Sequence, residues 1–252
     1  MGEDLVEFKA PFGHALAVIR PALLLASGFL DELRTRLQDE GIRDAVTGHD
    51  SGFIFDWVMP LLGLQGISDA VAFGFSAQHG NLRFEDIDGG LLQQPACPQL
   101  RSFWHFHHCG FRKALMICAE PQHLPDCLLP AVPLRKGLLN EAGYAFYFFV
   151  RDICDGDFVS WIDRRLAAAD PGFGVDGRET QMRDALLDPL ANVVGTGRKL
   201  WSMILAELLL AGDLDRERWI ATGGSMIAID SLVHVTGRFP LVPLGSTRGH
   251  NA

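Results

Sequence analysis

The chain has 252 residues, of which 48% are hydrophobic and 21% charged, so it can bury a sizeable core and is not a disordered protein. There are 22 Lys and Arg against 31 Asp and Glu, a net charge of −9, which weighs against a protein that grips nucleic acid by charge over its whole surface. Five cysteines, an odd number with no tight pairing, point to a reducing compartment and free thiols.

Taken from the start, Met1-Gly2-Glu3-Asp4 lacks the basic region of a signal peptide. Val6 stands where a myristoylation motif carries Ser or Thr. The apolar stretch Ala15–Ala26 is broken by Arg20-Pro21 and is no membrane span. A cytoplasmic monomer without membrane contact is the expectation. Helical spacing dominates from there on. Leu23, Leu24, Phe29, Leu30 and Leu33 recur at three and four residues, with Gly41 as a stop. Phe53–Leu64 is apolar on most sides and predicts a buried helix. Residues 86–98 are rich in Gly, Gln and Pro and predict a loop. Phe111–Cys118 and Leu138–Ile153 have helical patterns, and Asp170-Pro171-Gly172-Phe173-Gly174 is a break.

Arg178–Leu187 predicts an amphipathic helix that closes near Asp188-Pro189. Leu200–Ala211 is apolar almost all round and predicts a central helix. Gly212-Asp213 ends it, and Gly223-Gly224 predicts a turn. Ile227-Ala228-Ile229 is short and β-like, and Asp230 is placed to cap a helix from Ser231 to about Arg238. Strict alternation is rare, so the fold class is mainly α.

Between the two predicted helices lies Val193-Val194-Gly195-Thr196-Gly197-Arg198-Lys199-Leu200. Two glycines one residue apart suit a tight hairpin that can approach a ligand closely. The amides freed at the next helix start favour a phosphate oxygen. Taken alone, the segment is an anion-binding helix-hairpin-helix or a turn between two core helices.

Gly195-Thr196-Gly197-Arg198-Lys199, an apolar helix, then Ile229-Asp230-Ser231-Leu232-Val233-His234 together resemble the signature of the helix-hairpin-helix base-excision DNA glycosylases. In that family a Gly-x-Gly hairpin precedes a catalytic Lys, and a Val-Asp-Thr-His-Val-like segment supplies the catalytic Asp. The resemblance implies a two-lobed helical domain over residues 1–252, with the motif at about 178–238 and a cleft between the lobes. It implies Lys199 as amine nucleophile, Asp230 as its acidic partner, and Gly195, Thr196, Gly197 and Arg198 as contacts to DNA phosphate. Gly110-Phe111-Arg112-Lys113-Ala114-Leu115 is similar to the family's upstream Gly-aromatic-x-x-Lys-Ala segment. Asp230 follows Lys199 by 31 residues, from position 199 to 230, an interval similar to that of the archaeal 8-oxoguanine glycosylase branch. His234 falls one place later than the family's histidine and receives no role. No cysteine follows Cys154, which excludes the iron–sulfur cluster of the endonuclease III branch, and no cofactor is expected.

The chemistry suits the pair. Breaking an N-glycosidic bond builds positive charge at the sugar C1′, which a carboxylate stabilises. A neutral Lys amine can attack the same carbon and form a Schiff base. The two groups should then lie within about 10 Å of one another at the mouth of one cleft. The partner would be damaged DNA carrying an oxidised purine, with the base flipped out of the duplex. Charge is distributed in keeping with this. Residues 95–151 carry 6 basic and 3 acidic side chains and residues 193–252 carry 6 and 5, while residues 1–94 carry 6 and 14. Two other classes stay open: a non-catalytic helix-hairpin-helix binder of nucleic acid, and a metal-dependent enzyme.

The last possibility comes from Trp104-His105-Phe106-His107-His108-Cys109, with Cys97, Cys118, His123 and Cys127 nearby. Alternation would put His105 and His107 on one face. The spacings match no Cys-x-x-Cys or zinc-finger pattern, so buried cysteines beside a polar His patch are the expectation, with no metal assigned. Trp57, Phe55 and Trp104 could stack on a flipped base, although aromatics in apolar helices are more often core. Asp152, Asp155 and Asp157 lie around Gly156 as in a calcium loop, but the twelfth-position Glu is missing.

Overall fold

A computed structural model describes residues 27–63, 80–91, 97–112, 115–127, 139–211 and 216–226, together with 71, 74, 75, 77, 78 and 129. It is mainly helical. Helix α1 spans Ser27–Asp39, α2 Ile42–Thr47, α3 Ser51–Leu62, α4 Phe84–Leu91 and α5 Phe103–Phe106. Then come α6 over Leu139–Phe148, α7 over Phe158–Ala169, α8 over Arg178–Leu190, α9 over Arg198–Ala211 and α10 over Glu217–Met226. No strand occurs among the described residues, where the one isolated β-bridge pairs Arg112 with Ile117. No helix among them is long and apolar enough to cross a membrane.

Local chemistry sets the boundaries. Gly41 adopts a left-handed φ of 75° between α1 and α2, the conformation that its lack of a Cβ permits. The Asp50 carboxylate accepts from the Phe53 amide at 2.9 Å and starts α3. The Asp157 carboxylate accepts from the Ser160 amide at 2.8 Å and starts α7. Helix α6 widens into a π-helical turn over Phe149–Ile153 before the left-handed Asp155-Gly156 turn. The carboxylates suspected of a calcium loop have other work: Asp157 caps α7, and Asp152 accepts from the Phe103 amide at 2.7 Å and from Arg151.

Three expectations are corrected. Residues 86–98 are not all loop, because α4 occupies their first part: Ile87 is fully buried, and the Phe84 amide is held by Asp56 at 2.7 Å. The described residues between Phe111 and Cys118 do not form an α-helix, and Leu115 lies in a 3₁₀ turn. Arg112 and Ile117 bridge across a turn in which Met116 has a φ of 50°. Gly223-Gly224 is no turn but lies inside α10. A Cβ on Gly223 would stand 3.0 Å from Leu209 Cβ and Leu210 Cγ, so the glycine is there to let α10 close on α9. Pro189 sits within the last turn of α8, which runs on to Leu190.

One contiguous core joins these elements. Helix α9 is its centre, packing most extensively on α10 and also on α1, α3 and α8. Trp201, Leu205, Leu208 and Leu209 on α9 are wholly buried, as its all-round apolar pattern requires. The Trp201 ring lies 5.0 Å from Phe146, which stacks on Phe55 at 5.5 Å and meets Phe158 edge-on at 5.5 Å. Phe55 is thus a core residue and not a free platform for a base.

Candidate functional site: the helix-hairpin-helix

Helices α8 and α9 are joined by residues 191–197, and that connection is locked from within. Gly195 has a φ of 81°, the left-handed conformation that fits glycine. The Thr196 amide donates to the Val193 carbonyl at 3.2 Å, and its hydroxyl donates to the same oxygen at 2.7 Å. That hydroxyl accepts from the buried Trp201 indole at 2.8 Å. Thr196 thereby ties the turn to the first buried side chain of α9.

Arg198 opens α9 but turns back. Its guanidinium binds Asp184 on α8 at 2.8 Å and also pairs with Asp188. Lys199 follows on the exposed side of the first turn, beside the buried Trp201 face. Of the residues assigned to phosphate, Thr196 uses its amide within the turn, and Arg198 is held by two carboxylates. Gly197 is exposed, with open space where a Cβ would stand. Asp230 and His234 lie outside the described residues, as does Lys113.

The two tryptophans considered for a base pocket stand on separate elements. Trp57 on α3 is half-buried and donates its indole N–H to Glu40 at 3.0 Å. Trp104 on α5 is 60% exposed and sits edge-on to Phe103 at 6.3 Å. His105 and His107 do not share a face. They fall in and just after the helical turn of α5, where positions two apart are rotated by about 200°. His105 instead pairs with the Ser102 hydroxyl at 2.6 Å, and His107 meets the Phe103 ring at 4.9 Å.

A second cluster looks like a hydrolase triad but is built otherwise. Asp157 Oδ2 stands 2.8 Å from His49 Nδ1, while Ser160 Oγ donates to the same carboxylate oxygen at 2.6 Å. Ser160 Oγ also lies 3.2 Å from that same Nδ1. In a nucleophile triad the hydroxyl and the acid occupy opposite ring nitrogens. Here both crowd one nitrogen, as a helix cap does. Burial disfavours the Asp157 charge, but bonds from Ser160 and His49 outweigh it and hold the carboxyl below its ordinary range.

The His/Cys cluster singled out in the sequence is brought together in part. Cys97, Cys109, Cys118 and Cys127 line a single small cavity with Gln99, Leu100, Phe111, Glu120, His123 and Leu124. Burial pushes the Cys109 thiol up to about 11, so it is not a thiolate nucleophile of the activated kind. Among the described residues, no group of three or more His, Cys, Asp or Glu is placed to hold a metal ion. Their spacing follows no short repeat, so the sequence grouped these cysteines without showing that they share a cavity.

Comparison with known proteins returns no match: no protein-family model, curated protein or solved structure resembles the chain at a significant level.

Proposed function

We propose that the chain is a helix-hairpin-helix DNA glycosylase with an associated abasic-site lyase activity, Lys199 being its nucleophile and Asp230 its charge-stabilising partner. One observation carries the reading: a tight turn with a left-handed Gly195 delivers an exposed Lys199 at the start of a helix anchored by buried Trp201. The anchored helix gives the amine a fixed origin, which orientation-dependent attack needs. Attack requires the amine in its neutral form. The amine nitrogen then bonds to the sugar C1′ while the glycosidic bond breaks, its electron pair leaving with the base. The proton lost by the amine goes to the departing base through solvent. The nitrogen lone pair then breaks the bond from C1′ to the ring oxygen, that oxygen takes a proton from solvent, and the iminium left behind can be reduced by hydride.

The test is borohydride trapping with duplexes carrying an 8-oxoguanine or an abasic site. A covalent protein–DNA adduct is expected from the native chain and none from Lys199→Gln. Asp230→Asn should slow base release by about 10²-fold or more. An adduct that survives in Lys199→Gln would assign the nucleophile elsewhere. Salt-dependent binding with neither adduct nor base release would leave the non-catalytic binder as the function.

A further inference from the structure

We propose that the hairpin over residues 109–119 docks on an anionic lipid surface, with Leu115, Met116 and Ile117 entering the headgroup layer and Arg112 meeting lipid phosphate. The backbone brings these groups together. The Arg112 amide donates to the Ile117 carbonyl at 2.8 Å, and the Ala119 amide donates to the Cys109 carbonyl at 3.1 Å. Arg112 and Ile117 thus stand opposite one another as an antiparallel pair, whose side chains share one face of the hairpin. The turn between them passes through Met116 in the left-handed conformation, at a φ of 50°. Leu115, Met116 and Ile117 are 63%, 49% and 50% exposed, three large apolar side chains in a row. Cys109 and Phe111 are buried and anchor the hairpin to the core.

Charge identifies the occupant. The longest stretch of the chain without Asp or Glu runs from 89 to 119 and carries Arg101, Arg112 and Lys113 with three histidines, although the whole chain has a net charge of −9. Arg112 is exposed and makes no ion pair with a described residue. Glu120, the first acid beyond the stretch, is half-buried and accepts from the side-chain amides of Gln99 and Gln122. A cation beside a row of exposed apolar side chains matches the two layers of an anionic membrane interface, phosphate outside and acyl chains beneath. Three side chains are too few for a stable protein interface, which takes about 20–30 residues a side. A fluid bilayer closes around such a small protrusion and needs no matching pocket. Leu, Met and Ile also lack the π faces on which a platform for single-stranded nucleic acid stacks bases. No helix among the described residues can cross a membrane, so the contact is peripheral. It does not depend on the lyase chemistry of Lys199.

Co-sedimentation of the full chain with phosphatidylcholine vesicles containing phosphatidylserine tests this. The native chain should partition onto them about 10-fold or more better than onto phosphatidylcholine alone, and added salt should weaken the binding. Arg112→Gln should lower the partition coefficient about 5-fold. Leu115→Gln combined with Ile117→Gln should lower it about 10-fold or more while leaving the melting temperature unchanged. If that double variant does not fold, Leu115→Gln alone decides, with an expected loss of about 3-fold or more. A native chain that binds no vesicles overturns the proposal, as does binding that ignores phosphatidylserine or survives removal of the aliphatic side chains. So does a dimer of the native chain in analytical ultracentrifugation that the double variant abolishes, since a second copy would then cover the hairpin. DNA binding lost in the same variant overturns it too, by making the hairpin part of a nucleic-acid interface.

Discussion

Arg198 holds two carboxylates of its own chain, Asp184 and Asp188, at the point where a helix-hairpin-helix would meet DNA. The Arg198 and Asp184 side chains are 44% and 39% exposed, and pairs so open to water are worth about 0–1 kcal/mol. A duplex phosphate can therefore displace them, but it must first overcome two local negative charges. Asp184→Asn combined with Asp188→Asn should accordingly bind duplex DNA about 3- to 10-fold more tightly at low salt. The slope of log K against log salt should steepen by about one phosphate contact. Fluorescence anisotropy over a salt series measures both, and an unchanged affinity would remove Arg198 from the interface. The turn between α8 and α9 was legible in the sequence from its two glycines. The partners of Arg198 were not, because they lie on the preceding helix, 10 and 14 residues back along the chain. The role of Thr196 was hidden likewise, since its hydroxyl answers to an indole five residues later.

At the scale of elements, α9 and α10 make the most extensive helix-to-helix contact among the described residues. Gly223 is buried, and a Cβ at its position would lie 3.0 Å from Leu209 and Leu210. Gly223→Leu should force the helices apart, and overpacking of this kind costs about 1–3 kcal/mol. A melting temperature lower by about 3–10 °C is expected, read by circular dichroism. A variant that melts with the native chain would show that α10 does not seat on α9 through Gly223. The same joint explains what the pattern of residues did and did not reveal. Strongly periodic, uniformly apolar stretches announced α3, α6 and α9, because burial alone decides them. Glycine pairs misled at 223–224, where the absent side chain serves packing between helices instead of a turn. Residues 86–98 misled in the opposite way, since a helix of eight residues with an Asp56 anchor outweighs its own two glycines.

Over the whole molecule, Arg178 fastens three elements at the C-terminal end of the described chain. It is buried at the start of α8, where the helix dipole opposes a cation. That cost is offset by Asp170 at 2.6 and 2.9 Å, just after α7, and by Glu217 at 2.6 and 2.7 Å, in the first turn of α10. Arg218 adds a bond to Asp170 at 2.8 Å. Hydrogen bonds from Arg178, and then from Arg218 and the Gly172 amide, hold the Asp170 carboxyl far below its ordinary value. Arg178 lowers Glu217 likewise. Both carboxylates thus bind protons more weakly in the folded chain than in the unfolded one, whose ordinary values lie near about 4. Their contribution is fully present above that pH and is lost as the pH falls toward the lower folded values. Native stability should therefore decline steeply from about pH 5 to pH 3. Arg178→Gln should melt below the native chain at pH 7, because it leaves Asp170 nearly buried with Arg218 as its remaining cation. The gap between the two melting temperatures should begin to narrow below about pH 5 and go on narrowing through about pH 3, because the Asp170 carboxyl of the native chain gives up its charge only well below its ordinary range. A gap that stays constant between about pH 7 and pH 3 would mean that Arg178 stabilises the joint by packing over the Phe173 ring, 5.8 Å from its guanidinium carbon, and not by charge.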